Sequence, residues 1–179
     1  MREPFEQAVQ RHGGTVLKVC RAILGPGPDA DDAWQETFLA ALRAWPDLDP
    51  VTPLEPWLVR VAGRKAIDVI RARNRRAVPL GELPERIPGA GSAAPEAVGH
   101  AVELWTAVAA LPERQRLAVA YHYLGGLPHA ETAAVIGGSP ESVRRASADG
   151  IKALRGIWAE DTGDGRAATP SVRVGTGAS

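Results

Sequence analysis

The chain has 179 residues, 45% hydrophobic and 23% charged, with 21 Lys and Arg balanced by 21 Asp and Glu. This composition excludes collagen-like, wholly disordered and disulfide-framework proteins, and the length allows one ordinary domain or two small ones. Cys20 is the single cysteine, so neither an intrachain disulfide nor a cysteine cage for zinc can form. Zero net charge argues against a nucleic-acid partner until the charges are divided along the chain. Residues 1–56 carry 5 basic and 9 acidic side chains, 57–76 carry 7 and 1, 77–110 carry 1 and 4, and 111–158 carry 6 and 4. Clustered charge, rather than the total, governs phosphate recognition.

Apolar residues at helical spacing (Phe5, Val9, Val16, Leu17, Cys20, Ile23, Leu24) predict a first helix over 5–24, interrupted at Gly13-Gly14. Gly25-Pro26-Gly27-Pro28 is a break. Asp29 and Asp32 then signal a helix start, and Ala30, Trp34, Phe38, Leu42 and Trp45 form one face of a helix ending before Pro46. Asp47 to Pro56 contains three prolines and predicts irregular chain, with a third helix from Trp57 to about Arg76 opened by Pro56. Prolines and glycines crowd residues 79–99 and predict a flexible linker. Helical spacing resumes near Val102, and a further helix runs from Leu111-Pro112 to Tyr123 before Gly125-Gly126. A short helix over Pro128–Ile136, a turn at Gly137-Gly138, and a last helix capped by Ser139-Pro140 and running to about Trp158 complete the pattern. The expected fold class is all-α, with two small helical domains joined by a Pro/Gly-rich linker. The expected boundaries are 1–77, linker 78–100, 101–158 and a disordered tail 159–179.

On a helical wheel Arg60, Arg64, Arg71 and Arg75 fall within roughly 60° of one another, opposite Leu58, Ala62, Ala66, Val69 and Ile70. Such a stripe can follow a phosphate backbone, and Trp57 with Val61 at its edge can offer an aromatic ring to an unpaired base. A solvated basic face with Trp57 in the core fits the same spacing. Residues 128–155 describe a helix-turn-helix, whose second helix would present Glu141, Ser142, Arg144 and Arg145 to base edges. A plain helical hairpin fits that spacing too.

Three stretches resemble one known family. Asp29–Trp45 is similar to the polymerase-binding helix of bacterial sigma factors, and Trp57–Arg71 to the promoter-melting helix of their extracytoplasmic-function group. Leu111–Arg116 with the following helix pair is similar to that group's promoter-reading domain. The resemblance implies a sigma factor that binds the large subunits of core RNA polymerase and directs it to promoter DNA. It implies no catalytic residue, cofactor or metal, no membrane insertion, a monomer when free, and in many relatives an anti-sigma protein. Asp31, Asp32, Gln35, Glu36 and Leu39 would meet the polymerase. The irregular Asp47–Glu55 stretch would hold a flipped base of the minus-ten element, gripped by Trp57, Arg60, Arg64, Lys65, Arg71 and Arg75. Arg114, Arg116, Ser139, Glu141, Ser142, Arg144 and Arg145 would meet the minus-thirty-five element. The chain has Arg64 where the family usually has Asn, and Ala146, Asp149 and Ile151 where it commonly has Arg. Those departures imply weak DNA binding by the C-terminal domain alone, and leave open a sigma-derived regulator that does not read a minus-thirty-five element.

Other signals are weaker. His12, His100, His122 and His129 are scattered, Gly25–Pro28 lacks the Lys-Ser/Thr of a phosphate loop, and no nucleophile–base set is visible. The opening Met1-Arg-Glu-Pro-Phe-Glu6 lacks the apolar core of a signal peptide, so a cytoplasmic protein is expected.

Overall fold

A computed structural model describes residues 3–76 and 95–163, with side chains left aside at 76, 95–100 and 158–163. All its regular elements are helical: α1 (Phe5–Leu24), α2 (Pro28–Ala44), α3 (Leu54–Arg76), α4 (Pro95–Ala110), α5 (Glu113–Ala118), α6 (His129–Ile136) and α7 (Pro140–Gly163), with a π-helical turn, Val119–Leu124, continuing α5.

Helix α1 runs unbroken through Gly13-Gly14, contrary to the expected interruption. The indole of Trp34 lies over Gly13 and donates a hydrogen bond of 2.9 Å to its carbonyl, so the glycine marks a helix contact and not a break. Gly25, at φ 86°, ends α1 in the left-handed region that glycine tolerates. Pro28 opens α2 at a position whose N–H would lack a partner anyway, with Asp29 and Asp31 beside the positive end of the helix. Helix α3 begins at Leu54, earlier than the prolines suggested. Three prolines precede or enter its first turn, where a missing N–H costs nothing, and the Trp57 amide bonds the Pro53 carbonyl at 3.2 Å.

Helices α1, α2 and α3 enclose Val16, Val19, Cys20, Ile23, Ala33, Phe38, Leu58, Val59, Ala62 and Ala66. The stripe assigned to α3 is therefore buried as expected at Leu58, Ala62 and Ala66, while Val69 and Ile70 are half-buried. Val108, Leu111, Tyr121, Leu127 and Leu154 belong to the same cluster, so the second group of helices adds to the core of the first. A small separate cluster of Ala118, Ala133, Val143 and Ala146 holds α6 against α7. Helix α4 starts at Pro95, inside the expected linker, and α7 reaches Gly163, inside the expected tail. Residues 78–94 and 164–179 lie outside the described residues, as does the side chain of Trp158.

Leu58 is 1% exposed at the centre of the three-helix packing. Leu58→Ala is expected to lower the unfolding free energy by about 2–5 kcal/mol, measured by chemical denaturation.

Candidate nucleic-acid and partner interfaces

Asp31, Asp32, Gln35, Glu36 and Leu39 all lie exposed on α2. Leu42, expected on the buried stripe, is 51% exposed beside Leu39 at 46%. These two leucines with Phe5, Trp34, Gln35 and Phe38 line an apolar groove of about 260 Å³. Its floor is rigid because Phe38 is wedged between Trp34, ring centroids 4.8 Å apart, and Phe5 at 6.4 Å, while Trp45 closes on Phe5 at 5.1 Å. Sequence reasoning missed the groove since periodicity marks apolar positions without saying which of them find a neighbour. Ion pairs fasten the acidic rim to neighbouring helices: Asp31 to Arg21 at 3.8 Å, Glu36 to Lys65 at 3.5 Å, and Asp29 to Arg73.

On α3, Arg64, Arg71 and Arg75 are exposed, and Arg60 is half-buried. Arg71 pairs with Asp68 one turn earlier at 3.7 Å, and Arg60 pairs with Glu131 of α6. Trp57 and Val61 are half-buried, with Trp57 packed on the core, so much of the indole is committed to folding. The approach to α3 is shaped by turns. The Val51 amide bonds the Asp49 carboxylate at 3.0 Å and the Thr52 amide bonds the Asp49 carbonyl at 3.0 Å.

The C-terminal pair α6–α7 has the helix-turn-helix form. Gly137 and Gly138, at φ 84° and 91°, make its turn. Ser139 and Ser142 cap α7 reciprocally: the Ser142 amide donates to the Ser139 hydroxyl at 3.2 Å, and the Ser139 amide donates to the Ser142 hydroxyl at 3.1 Å. The Arg114 guanidinium spans the turn, donating to the Gly137 carbonyl at 3.1 Å and the Ser142 hydroxyl at 2.8 Å. Arg116 is half-buried and donates to the Ala109 carbonyl at 2.8 Å, at the end of α4. Arg114, Ser139, Ser142 and Arg116 thus have structural partners, which leaves Glu141, Arg144 and Arg145 as the exposed side chains of the first turns of α7. The backbone N–H of Glu141, and then the Ser139 hydroxyl, hold the Glu141 carboxyl below its ordinary range. Ala146 is buried and Ile151 half-buried, so two of the three departures noted in this helix face inward, and only Asp149 projects to solvent.

Family models for sigma-70 region 2 and sigma-70 region 4 match residues 8–76 and 101–154. The chain is 33% identical to the ECF RNA polymerase sigma factor ShbA of Streptomyces griseus, across 79% of this chain and 80% of that one. It belongs to the extracytoplasmic-function sigma factors. It is also 30% identical to the sigma factor SigE of Mycolicibacterium smegmatis across 89% of this chain, spanning 63% of SigE's length. The solved structure of CnrH in complex with the cytosolic domain of CnrY superposes at a TM-score of 0.62 and 26% identity, over 88% of each chain.

Within this sigma factor no described residues form a group of three or more His, Cys, Asp or Glu able to hold a metal ion. His122 and His129 do meet, rings stacked at 3.7 Å, with the His122 Nδ1 bonded to the Leu127 carbonyl at 2.7 Å. Burial, then the neighbouring His122, holds the His129 imidazole below its ordinary pKa. Cys20 is fully buried, and burial pushes its thiol up to about 12, so it is inert packing. No helix among the described residues is long and apolar enough to cross a membrane.

Ser139→Ala removes one half of the α7 cap and one of the two bonds to Glu141. Stability is expected to fall by about 0.5–2 kcal/mol, and Glu141 should titrate nearer the ordinary carboxylate range in an NMR titration. Because its folded pKa is depressed, the stability linked to Glu141 is present at neutral pH and fades as acid brings the pH through that lowered value.

Proposed function

We propose that this chain acts in the cytoplasm as a promoter-specificity subunit: it binds core RNA polymerase through α2, opens the minus-ten element against α3, and presents α7 to the minus-thirty-five element. The observation that carries the reading is the α2 face, where two exposed leucines and an apolar groove are rimmed by Asp31, Asp32, Gln35 and Glu36. An exposed apolar patch with a charged rim is what a protein partner covers. Its charge and chemistry differ from those of α3, where Arg64, Arg71 and Arg75 stand exposed for phosphate. Binding needs no catalytic group, and catalysis of transcription belongs to the polymerase.

The irregular segment before α3 is assigned to the flipped base, with Trp57 and Arg60, Arg64, Lys65, Arg71 and Arg75 along the strand. Glu141, Arg144 and Arg145 are assigned to base edges. An inhibitory protein of the anti-sigma type is part of this reading, because the groove on α2 is the surface it would have to cover. A regulator that reads no minus-thirty-five element remains the second reading, and only Asp149 favours it.

Pull-down of the tagged chain from native lysate is expected to bring the polymerase large subunits, and Leu39→Arg with Leu42→Arg to reduce their recovery at least tenfold. Recovery that survives those charges would remove α2 from the contact. Replacing Arg71 and Arg75 with Ala should flatten the salt dependence of promoter binding, lowering its log–log slope by roughly 1.4–1.8 for two lost phosphate contacts. An unchanged slope would show that these arginines do not meet the backbone.

A further inference from the structure

A cleft of about 600 Å³ opens between α3 and α6. Arg60, Arg64 and Arg71 of α3 form one wall, with Ile67 among them. Glu131, Ala134 and Val135 of α6 form the other, and Tyr121 of the π-helical turn completes the lining. Arg60 is ion-paired across the cleft with Glu131, and Arg71 is paired with Asp68 of its own helix. Arg64 has no hydrogen bond or ion pair among the described residues. Tyr121 is fully buried, yet its hydroxyl has no hydrogen-bond partner. A hydroxyl stripped of water in this way costs free energy until an acceptor reaches it. Burial raises its pKa to about 12 against the opposing pull of Arg64, so the hydroxyl keeps its proton and can donate. Arg64 and Tyr121 thus bring donors to one cleft, and neither side chain has an acceptor there.

We propose that this cleft is a binding site for a small phosphorylated molecule with a flat apolar body, a nucleoside diphosphate. Its volume lies within the range of ligand pockets, about 300–1,000 Å³. Three arginines against Asp68 and Glu131 leave the lining net positive. Arg64 can take phosphate oxygens at once through its fork of N–H donors. The carboxylate partners of Arg60 and Arg71 are 44% and 68% exposed, and pairs so open to water yield readily to a doubly charged phosphate. Ile67, Ala134 and Val135 supply apolar surface for the base. A nucleic-acid strand lying along α3 uses the first wall alone, whereas a molecule of this size touches both. The inference does not rest on α3 as the promoter face, since its second wall belongs to the C-terminal helices.

The test is calorimetric titration of the full chain with ADP in metal-free, low-salt buffer, with the melting temperature measured alongside. ADP should bind saturably, one molecule per chain, and raise the melting temperature with its concentration. Adenosine and inorganic phosphate each lack part of the ligand, and both should bind at least about tenfold more weakly. Arg64→Ala removes the unpaired guanidinium from an exposed position and should weaken ADP about tenfold. Ala134→Trp fills the cleft from an exposed position on α6 and should abolish binding. Glu131→Gln takes a negative charge out of the cleft and releases Arg60, so ADP should bind about threefold more tightly. Circular dichroism checks that each variant keeps its helices. Absence of saturable ADP binding overturns the proposal. So does binding that is indifferent to Arg64→Ala and Ala134→Trp, which would place the nucleotide on arginines elsewhere. Pyrophosphate that binds as tightly as ADP overturns the nucleotide assignment, because the apolar wall would then do nothing.

Discussion

Gly63 has no side chain, and the ring of Tyr121 takes the room that one would fill. Much else in the structure depends on that contact. The chain has only 2 Phe, 2 Tyr and 1 Met beside its 5 Trp, and its interior is built largely from alanine and valine. Small side chains let helices approach closely but bury little surface each, and small domains are marginal for that reason. Sharing Val16, Ile23, Leu58, Val108, Tyr121 and Leu127 in one cluster lets each half complete the other's core. The π-helical turn contributes Val119, Ala120 and Tyr121, buried in succession, to this interior.

The surface is organised on a different principle. The acidic residues of α2 and the basic residues of α1 and α3 neutralise one another through pairs such as Lys65–Glu36 and Arg21–Asp31, all partly exposed. Exposed pairs contribute at most about 1 kcal/mol each, so they set the orientation of α2 without committing its charges. A partner that offers better-placed groups can exchange them at small cost. The apolar groove beside them is different in kind, since Leu39 and Leu42 gain only when covered.

What the sequence made legible was whatever local chemistry decides. Ser139-Pro140 is a helix start whatever surrounds it, because the hydroxyl serves an orphan N–H and the proline lacks one, and α7 begins at Pro140. The arginine stripe was legible because charges on one face of α3 avoid an apolar interior, and Arg64, Arg71 and Arg75 are exposed while Arg60 finds Glu131 of α6. What stayed hidden depends on neighbours far along the chain. Gly13 reads as a breaker until Trp34, 21 residues away, is laid across it. Ala146 stands where the family commonly has Arg, and it is buried in a cluster with Ala118 and Ala133. Arg114 and Ser142 were assigned to DNA from the same pattern, and the turn of the helix-turn-helix uses both. The partner of Arg60 on α6, Glu131, has no signature in either helix alone.

The division of charge along the chain gives its neutrality a physical role. Net charge of zero supplies no long-range attraction to a polyanion, because the basic stripe of α3 is balanced by the acidic residues before and after it. The exposed Arg64, Arg71 and Arg75 therefore act only over about a Debye length, roughly 8–10 Å. Whatever phosphate they meet has to be brought close to them by other contacts.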